Sequence, residues 1–223
     1  MKLVTFQSLD AIKDLFNKGY LECDESKINK EKNGTTYDWI VEKMNEVVGN
    51  EFNTSYPLWC WVKCYNGVCP PKKKGNKISG FDVKIIFNKN EKDVFITDYR
   101  RYSFLLNNRY IPESIKDKEK FEKILSKNNI TNEELEAYVR LDKYEKHRTD
   151  ESYLNVCSKI RESFDRCITN KSNILQGCVW RINLNEIERI EILDENYING
   201  SLNYVRSNGK RIDWINEYYK SLK

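Results

Sequence analysis

Histidine is almost absent from this sequence, and several active-site motifs are missing altogether. The single histidine, His147, lies in a stretch rich in lysine and glutamate, which predicts an exposed helix residue and argues against a Ser-His-Asp or Cys-His site. Neither glycine-rich phosphate loop occurs, and there is no Gly-x-Ser-x-Gly elbow. The His-x-Glu and Pro-Cys-x-x-Cys signature of zinc deaminases is also missing. We therefore expect any catalysis to proceed without histidine and without a metal.

The sequence also has no long hydrophobic run that could cross a membrane. It shows no signal-peptide pattern, because it opens directly on a strand-like segment, residues 2–6. This predicts a cytosolic protein with no membrane association. Its seven cysteines are expected to be reduced thiols that pack as small hydrophobic groups. Cys60, Cys64 and Cys69 form one cluster, but zinc sites favour Cys-x-x-Cys spacing and four ligands. Core packing is therefore the preferred interpretation of this cluster.

A strong excess of one charge is lacking too. Lysine and arginine total 38 against 34 acidic residues, and the resulting net charge of +4 is too small to indicate nucleic-acid binding by itself. Two local clusters remain as candidates for holding nucleic acid or a partner protein. One comprises Lys72, Lys73 and Lys74, and the other comprises Arg100, Arg101 and Arg109. The alternative for each cluster is an ordinary solvated surface.

The densest aromatic and apolar run in the chain is Tyr56 to Tyr65. Read as a strand of period 2, it places Leu58, Cys60, Val62 and Cys64 on one face. Its other face carries Trp59, Trp61, Lys63 and Tyr65. Two coherent but different faces are typical of a strand in the middle of a sheet, so we predict that this strand is central.

The order of the elements predicts one α+β domain, residues 1–223, with a mixed or antiparallel sheet. Ser8 and Gly19 bound a first helix, Thr35 and Gly49 a second, and Asp98 opens a third. Residues 113–172 read as a helical insertion or flank, in which Thr131 with Glu134 and then Asp150 open helices. The expected strands are residues 2–6, 56–65, 81–87, 93–97, 174–182 and 187–193, with a hairpin between the third and fourth. A last helix is expected around residues 212–222.

The whole chain resembles a family of bacterial cytosolic proteins known only as a domain of unknown function. The resemblance lies in five segments: Leu3 to Gln7, Tyr37 to Trp39, Tyr56 to Trp61, Thr97-Asp98 with Leu106-Asn107, and Gln176 to Ile182. This resemblance implies a bacterial cytosolic protein but brings no activity with it.

Three blocks also resemble the ADP-ribosyltransferase fold, especially the toxins that modify nucleic acid. These blocks are Leu3 to Ser8 with the helix to Gly19, Tyr56 to Lys63, and Leu175 to Ile182 with Ile187 to Leu193. The resemblance implies a transferase that uses NAD as a substrate. It also implies an NAD-binding side chain on the first strand and a catalytic glutamate on a late strand.

The chain departs from that pattern at both positions. The first strand carries Thr5 and Gln7 where those transferases carry histidine or arginine, and Gln176 stands at the best match to the catalytic glutamate. A carboxylate stabilises the positive charge that develops as nicotinamide leaves, whereas glutamine offers only a dipole. The resemblance therefore implies a site that binds NAD better than it cleaves it. A non-catalytic module of the same fold, binding nucleic acid or protein, is the alternative.

Each candidate residue has two interpretations. Gln176 either acts in the site or makes a structural hydrogen bond, and Asp98 is either a general base or a helix N-cap. Trp59 and Trp61 either stack on nicotinamide or a base, or pack on the sheet.

Thr5 and Gln7 share one face of the first strand, which either lines the same cleft or is half exposed. Tyr37 and Trp39 are expected in the core or an interface.

Overall fold

The computed structural model describes residues 1–28, 30–63, 83–139 and 149–192. Its strands are β1 (Lys2–Gln7), β2 (Tyr20–Glu22), β3 (Leu58–Lys63), β4 (Val83–Asn88), β5 (Phe95–Asp98), β6 (Leu175–Val179), β7 (Arg181–Asn183) and β8 (Ile187–Ile192). Its helices are α1 (Leu9–Lys18), α2 (Lys30–Val47), α3 (Tyr99–Leu106), α4 (Ile115–Lys127), α5 (Asn132–Val139) and α6 (Glu151–Ser163).

The strands form a six-stranded antiparallel sheet in the order β5-β6-β3-β1-β4-β8, and β2 and β7 form a separate two-stranded sheet. The prediction of an α+β protein with an antiparallel sheet is confirmed at this level. The aromatic strand β3 lies between β1 and β6, so it is an interior strand. Leu58 and Cys60 are buried, whereas Trp59 and Trp61 are half-buried. Cys64 and Tyr65 fall outside the described residues.

Helix α1 begins and ends at the residues that the sequence predicts. The Ser8 hydroxyl accepts a hydrogen bond from the Ala11 N–H and caps α1. Gly19 adopts the left-handed conformation, with φ of +79°, and its N–H donates to the Leu15 carbonyl. A residue with a Cβ is strained at that φ, so glycine suits this helix end. Ser8 alone separates strand β1 from helix α1, so the two are joined by a tight turn.

The predicted hairpin between β4 and β5 is wrong. Both sides of β4 are occupied, by β1 on one side and by β8 on the other, and β5 is a neighbour of β6 instead. Strands that follow each other in sequence pair often but not always, and here two more distant partners leave β4 no free edge.

Two further boundaries differ from the predictions. Helix α2 begins at Lys30 rather than Thr35, so Gly34 lies inside it. An interior glycine costs about 1 kcal/mol relative to alanine, which is why the sequence predicted a later start. The apolar run at residues 174–182 is divided at Trp180 into β6, in the large sheet, and β7, which pairs with β2.

The chain divides into two compact units. Unit 1 comprises Met1–Glu25, Val41–Ile96 and Lys171–Ile212, and unit 2 comprises Ser26–Ile40, Thr97–Asn170 and Asp213–Lys223. The core of unit 1 lies on the sheet face that carries Leu3, Cys60, Ile85 and Phe87, where Leu15 of α1 joins it. The single domain with a helical insertion or flank at 113–172 stays a prediction.

Unit 2 contains the predicted helix starts. Thr131 and Glu134 form a reciprocal capping box, and the Asp150 side chain accepts from the Tyr153 N–H. Trp39 is buried and contacts Phe164 edge to face, with ring centroids 6.0 Å apart, so it belongs to the core.

The buried stripe of α6 differs from the one that apolar spacing predicts, which is Leu154, Cys157, Ile160, Phe164 and Ile168. It consists of Tyr153, Val156, Ile160 and Ser163, whereas Leu154 is 51% exposed. The prediction counted apolar residues only, and the aromatic and hydroxyl side chains shift the buried face by one residue. His147, Lys72, Lys73, Lys74 and the predicted last helix lie outside the described residues. Within the described ranges, no helix is long and apolar enough to cross a membrane.

Candidate functional site

Strand register brings Trp59, Trp61 and Gln176 onto one face of the large sheet. Trp61 lies opposite Gln176 of β6 on one side and opposite Val4 of β1 on the other, and Trp59 lies opposite Cys178. Directly opposed residues of antiparallel strands point to the same face. We call this side of the sheet, with its two tryptophans and Gln176, the indole face.

Gln176 is buried, with 6% of its surface exposed, and its Nε2 atom has no hydrogen-bond partner among the described residues. A buried N–H group left without an acceptor costs about 1–3 kcal/mol. Buried polar atoms in folded proteins are nearly always paired, so this N–H group requires an acceptor such as a water molecule or a ligand. An external acceptor on the indole face would satisfy this N–H group.

Thr5 and Gln7 lie on the opposite face, with the hydrophobic core. The Thr5 hydroxyl donates to the Trp59 carbonyl at 2.8 Å and accepts from Gln7 Nε2 at 3.0 Å. The hydroxyl donor therefore helps to hold β3 against β1. The structure does not bring these two residues together with the tryptophans and Gln176, because the register assigns them to different faces.

Asp98 belongs to unit 2, whereas Gln176 belongs to unit 1. Asp98 is buried and caps helix α3, since its Oδ1 accepts from the N–H groups of Arg100 at 2.7 Å and Arg101 at 3.0 Å. Its other oxygen lies 3.7 Å from the Arg100 guanidinium. This geometry is that of the N-cap interpretation.

The predicted arginine cluster is engaged within unit 2. Arg101 donates to the backbone carbonyl of Arg166, and Arg109 Nε donates to Glu136 Oε1 at 2.6 Å. Arg100 faces Asp98. These contacts tie α3 and α5 to neighbouring parts of unit 2.

The buried thiols of unit 1, Cys60 and Cys178, have raised pKa values and stay protonated near neutral pH. Burial raises the pKa of Cys60 to about 12, although a hydrogen bond with Gly177 opposes the shift. Burial also raises the pKa of Cys178 well above its ordinary value. Neither thiol ionises near neutral pH, and a neutral thiol is a poor nucleophile and metal ligand. In the described ranges, no three histidine, cysteine or acidic side chains are grouped to hold a metal ion.

Gly177 is a position of interest that sequence reasoning missed. A Cβ atom at Gly177 would lie 2.9 Å from Val94 Cγ1 and 3.1 Å from Val62 Cγ2. A glycine inside a strand is itself a signal of close approach, so Gly177 could have been found from the sequence.

Replacing Gln176 by methionine is expected to raise the free energy of unfolding by about 1 kcal/mol, because the orphan N–H group is removed and the volume is kept. Gln7→Met is the matched control, since it removes an amide that donates a hydrogen bond, and it should lower the free energy of unfolding by about 0.5–1.5 kcal/mol. Urea unfolding of both variants measures the difference. Equal destabilisation by the two substitutions would show that the Gln176 amide is satisfied in solution.

Comparison with known proteins gives a family and no closer relative. No match was found among curated proteins or among solved structures. The family model described as "Domain of unknown function (DUF3841)" matches residues 2–188. That range includes every described strand except the last four residues of β8. The resemblance to an uncharacterised domain is confirmed, and the chain belongs to this family of unknown function.

Proposed function

We propose that this protein is ADP-ribosyltransferase-like and binds NAD on the indole face of its sheet. The observation that carries the proposal is the buried Gln176 amide, whose Nε2 has no partner among the described residues, beside two half-buried tryptophans. A flat ligand with a hydrogen-bond acceptor at its edge fits such a place. The nicotinamide group of NAD has both features.

The arrangement of the strands supports the same proposal. The three blocks that resemble ADP-ribosyltransferases contain β1 with α1, then β3, then β6, and these strands are neighbours in the order β6-β3-β1. Blocks that are far apart in sequence therefore adjoin in space. Two of these strands, β3 and β6, pair directly, so side chains from both can line one site.

Each side chain has a defined role in this proposal. The oxidised nicotinamide ring is cationic and would lie against the indoles of Trp61 and Trp59, where stacking and cation–π attraction favour it. The carboxamide oxygen would accept a hydrogen bond from Gln176 Nε2. Thr5 and Gln7 would contribute indirectly, by fixing the backbone of β3 at Trp59.

The chemistry expected of this site is binding with slow cleavage. When the bond from nicotinamide to ribose breaks, positive charge develops on the ribose ring and the electron pair leaves with nicotinamide. A carboxylate beside the ribose would stabilise that charge strongly, whereas the Gln176 amide supplies only a dipole. The protein would therefore hold NAD much better than it transfers ADP-ribose.

Calorimetric titration with NAD tests the proposal. Wild-type protein is expected to bind saturably. Trp61→Ala is expected to weaken binding about tenfold, since a lost stacking contact is worth about 1–3 kcal/mol. Gln176→Ala is expected to weaken it by a similar factor, since it removes a hydrogen bond to the ligand. Gln7→Ala is the matched comparison, because it removes an amide from the opposite face, and it should weaken NAD binding much less than Gln176→Ala does. Circular dichroism confirms that each variant is folded. No saturable binding at millimolar NAD would overturn the proposal.

A further inference from the structure

Strand β3 carries one residue more than its neighbour β6 beside the candidate site. The register against β6 is regular up to Trp61, which lies opposite Gln176. The next pair is Lys63 with Leu175, so Val62 has no partner position of its own on β6. An extra residue of this kind is a β-bulge, which bends its strand and increases the local twist. The bulge therefore adjoins the pair of residues on which the proposed NAD site depends.

The bulge is packed against the backbone of β6. Val62 packs on the core of unit 1, on the side of the sheet opposite the indole face. A Cβ atom at Gly177 would lie 3.1 Å from Val62 Cγ2 and 3.2 Å from the Cys60 sulfur. Gly177 therefore leaves the room that these two side chains of β3 occupy. Since Gly177 directly follows Gln176, β3 presses on β6 next to the Gln176 amide.

Strand β1 fixes β3 from its other side. Val4 lies opposite Trp61, and the Trp59 carbonyl accepts a hydrogen bond from the Thr5 hydroxyl at 2.8 Å. The backbone of β3 is therefore held by β1 at Trp59 and by β6 at Val62. Trp61 lies between these two points, so the twist that the bulge introduces acts directly on its backbone.

We propose that Val62 is a positioning residue, whose bulge sets the angle at which the Trp61 indole and the Gln176 amide bind one ligand. This inference rests on the proposed NAD binding. In a regular antiparallel pair, opposed side chains have Cβ atoms about 4.5–5.5 Å apart and pack on each other. An indole packed on the Gln176 amide would cover the N–H group that the carboxamide of NAD needs. The added twist turns the indole away from the amide, so that both can contact the same ligand.

Deletion of Val62 tests the inference, because it restores a regular register and keeps the pair of Trp61 with Gln176. The deletion is expected to weaken NAD binding about tenfold in calorimetry, the factor expected when one of the two ligand contacts is lost. Val62→Ala is the matched comparison, since it keeps the extra residue and removes only two methyl groups on the core side. It should weaken NAD binding much less than the deletion does.

A second substitution separates positioning from a general loss of stability. In the otherwise wild-type protein, Gln176→Ala is expected to weaken NAD binding about tenfold. In the protein without Val62, the amide no longer faces the ligand, so Gln176→Ala should have little further effect. In the Val62→Ala background, Gln176→Ala should keep its full effect. Losses that multiply in the deletion background would show that the two positions act independently and would contradict the inference.

Another bulge in the same sheet provides a control deletion. On β8, Glu188 is the extra residue between Ile187 and Arg189, which lie opposite Phe87 and Ile86 of β4. Two strands, β1 and β4, separate β8 from β3. Deletion of Glu188 should therefore leave the affinity for NAD at the wild-type value.

Circular dichroism confirms that each variant is folded. If the Val62 deletion does not fold, a glycine inserted between Leu175 and Gln176 gives Val62 a partner position on β6, and it should weaken NAD binding by a similar factor. Wild-type affinity in the variant without the bulge would overturn this inference and leave the proposed function standing. An equal loss of affinity in Val62→Ala would do the same. Failure of the wild type to bind NAD would overturn both.

Discussion

Replacing Glu186 by alanine is expected to lower the free energy of unfolding by about 3–5 kcal/mol. The carboxylate of Glu186 accepts two hydrogen bonds from Lys89 Nζ, at 2.7 and 2.9 Å. The Lys89 side chain is only 5% exposed, so removal of the carboxylate leaves a buried cation without its counter-charge. The variant also loses a hydrogen bond from the Asn183 N–H, which Glu186 accepts at 2.8 Å.

Equilibrium unfolding in urea measures this loss, and the chain offers a matched control two residues away. Glu188 is also paired with a lysine, Lys2, but both side chains are well exposed, at 41% and 59%. Exposed ion pairs contribute little, so Glu188→Ala should cost far less than Glu186→Ala. The double variant Lys89→Met with Glu186→Ala should recover part of the stability, because no buried charge remains. Similar losses in the two glutamate variants would contradict the argument.

Replacing Gly177 by valine is expected to destabilise unit 1 by about 3 kcal/mol or more, and Gly177→Ala by about 1–3 kcal/mol. The first carbon of any side chain here would meet Val94, Val62 and the Cys60 sulfur at 2.9–3.2 Å. All three neighbours belong to or pack against the core, so none can move without disturbing others. Valine adds two further methyl groups to the same space.

Thermal and urea unfolding of the two Gly177 variants give the cost, and a double variant identifies its cause. In a Val94→Ala background, where the closest contact is removed, the added cost of Gly177→Ala should shrink. An alanine variant as stable as the wild type would mean that the strands separate slightly at no cost. In that case the close approach of β6 to its neighbours would not be a constraint.

The local parts of the fold could be predicted from the sequence. Ser8 and Gly19 at the ends of α1, the Thr131 and Glu134 box, and the Asp98 cap each depend on residues three or four positions apart. Such contacts are encoded in short spacings, so a single sequence reveals them. The alternating faces of β3 were predictable for the same reason.

Long-range pairing could not be predicted in the same way. Nothing local distinguishes β8 from β5 as the partner of β4, because the choice depends on which edges other strands already occupy. The division of β6 from β7 depends on Trp180, whose indole N–H donates to the distant Gly49 carbonyl.

In the candidate site, some residues were identified from local sequence and others were placed only by long-range strand pairing. The alternation of β3 singled out the tryptophans, and the resemblance to ADP-ribosyltransferases singled out Gln176. The sequence left open whether Thr5 and Gln7 line the same cleft. Only the register between strands separates them from the indoles.

The pairing of β3 with β6 has a consequence for how the protein folds during synthesis. The middle of the sheet needs Leu175 to Val179, which leave the ribosome long after Leu58 to Lys63. The segment Thr97–Asn170 of unit 2 is made in between, and a bridge between Thr97 and Ile168 joins its two ends. If that segment folds first, the chain that must be closed between β3 and β6 becomes much shorter, which lowers the entropic cost of closure. Variants that weaken this segment should therefore slow completion of the sheet.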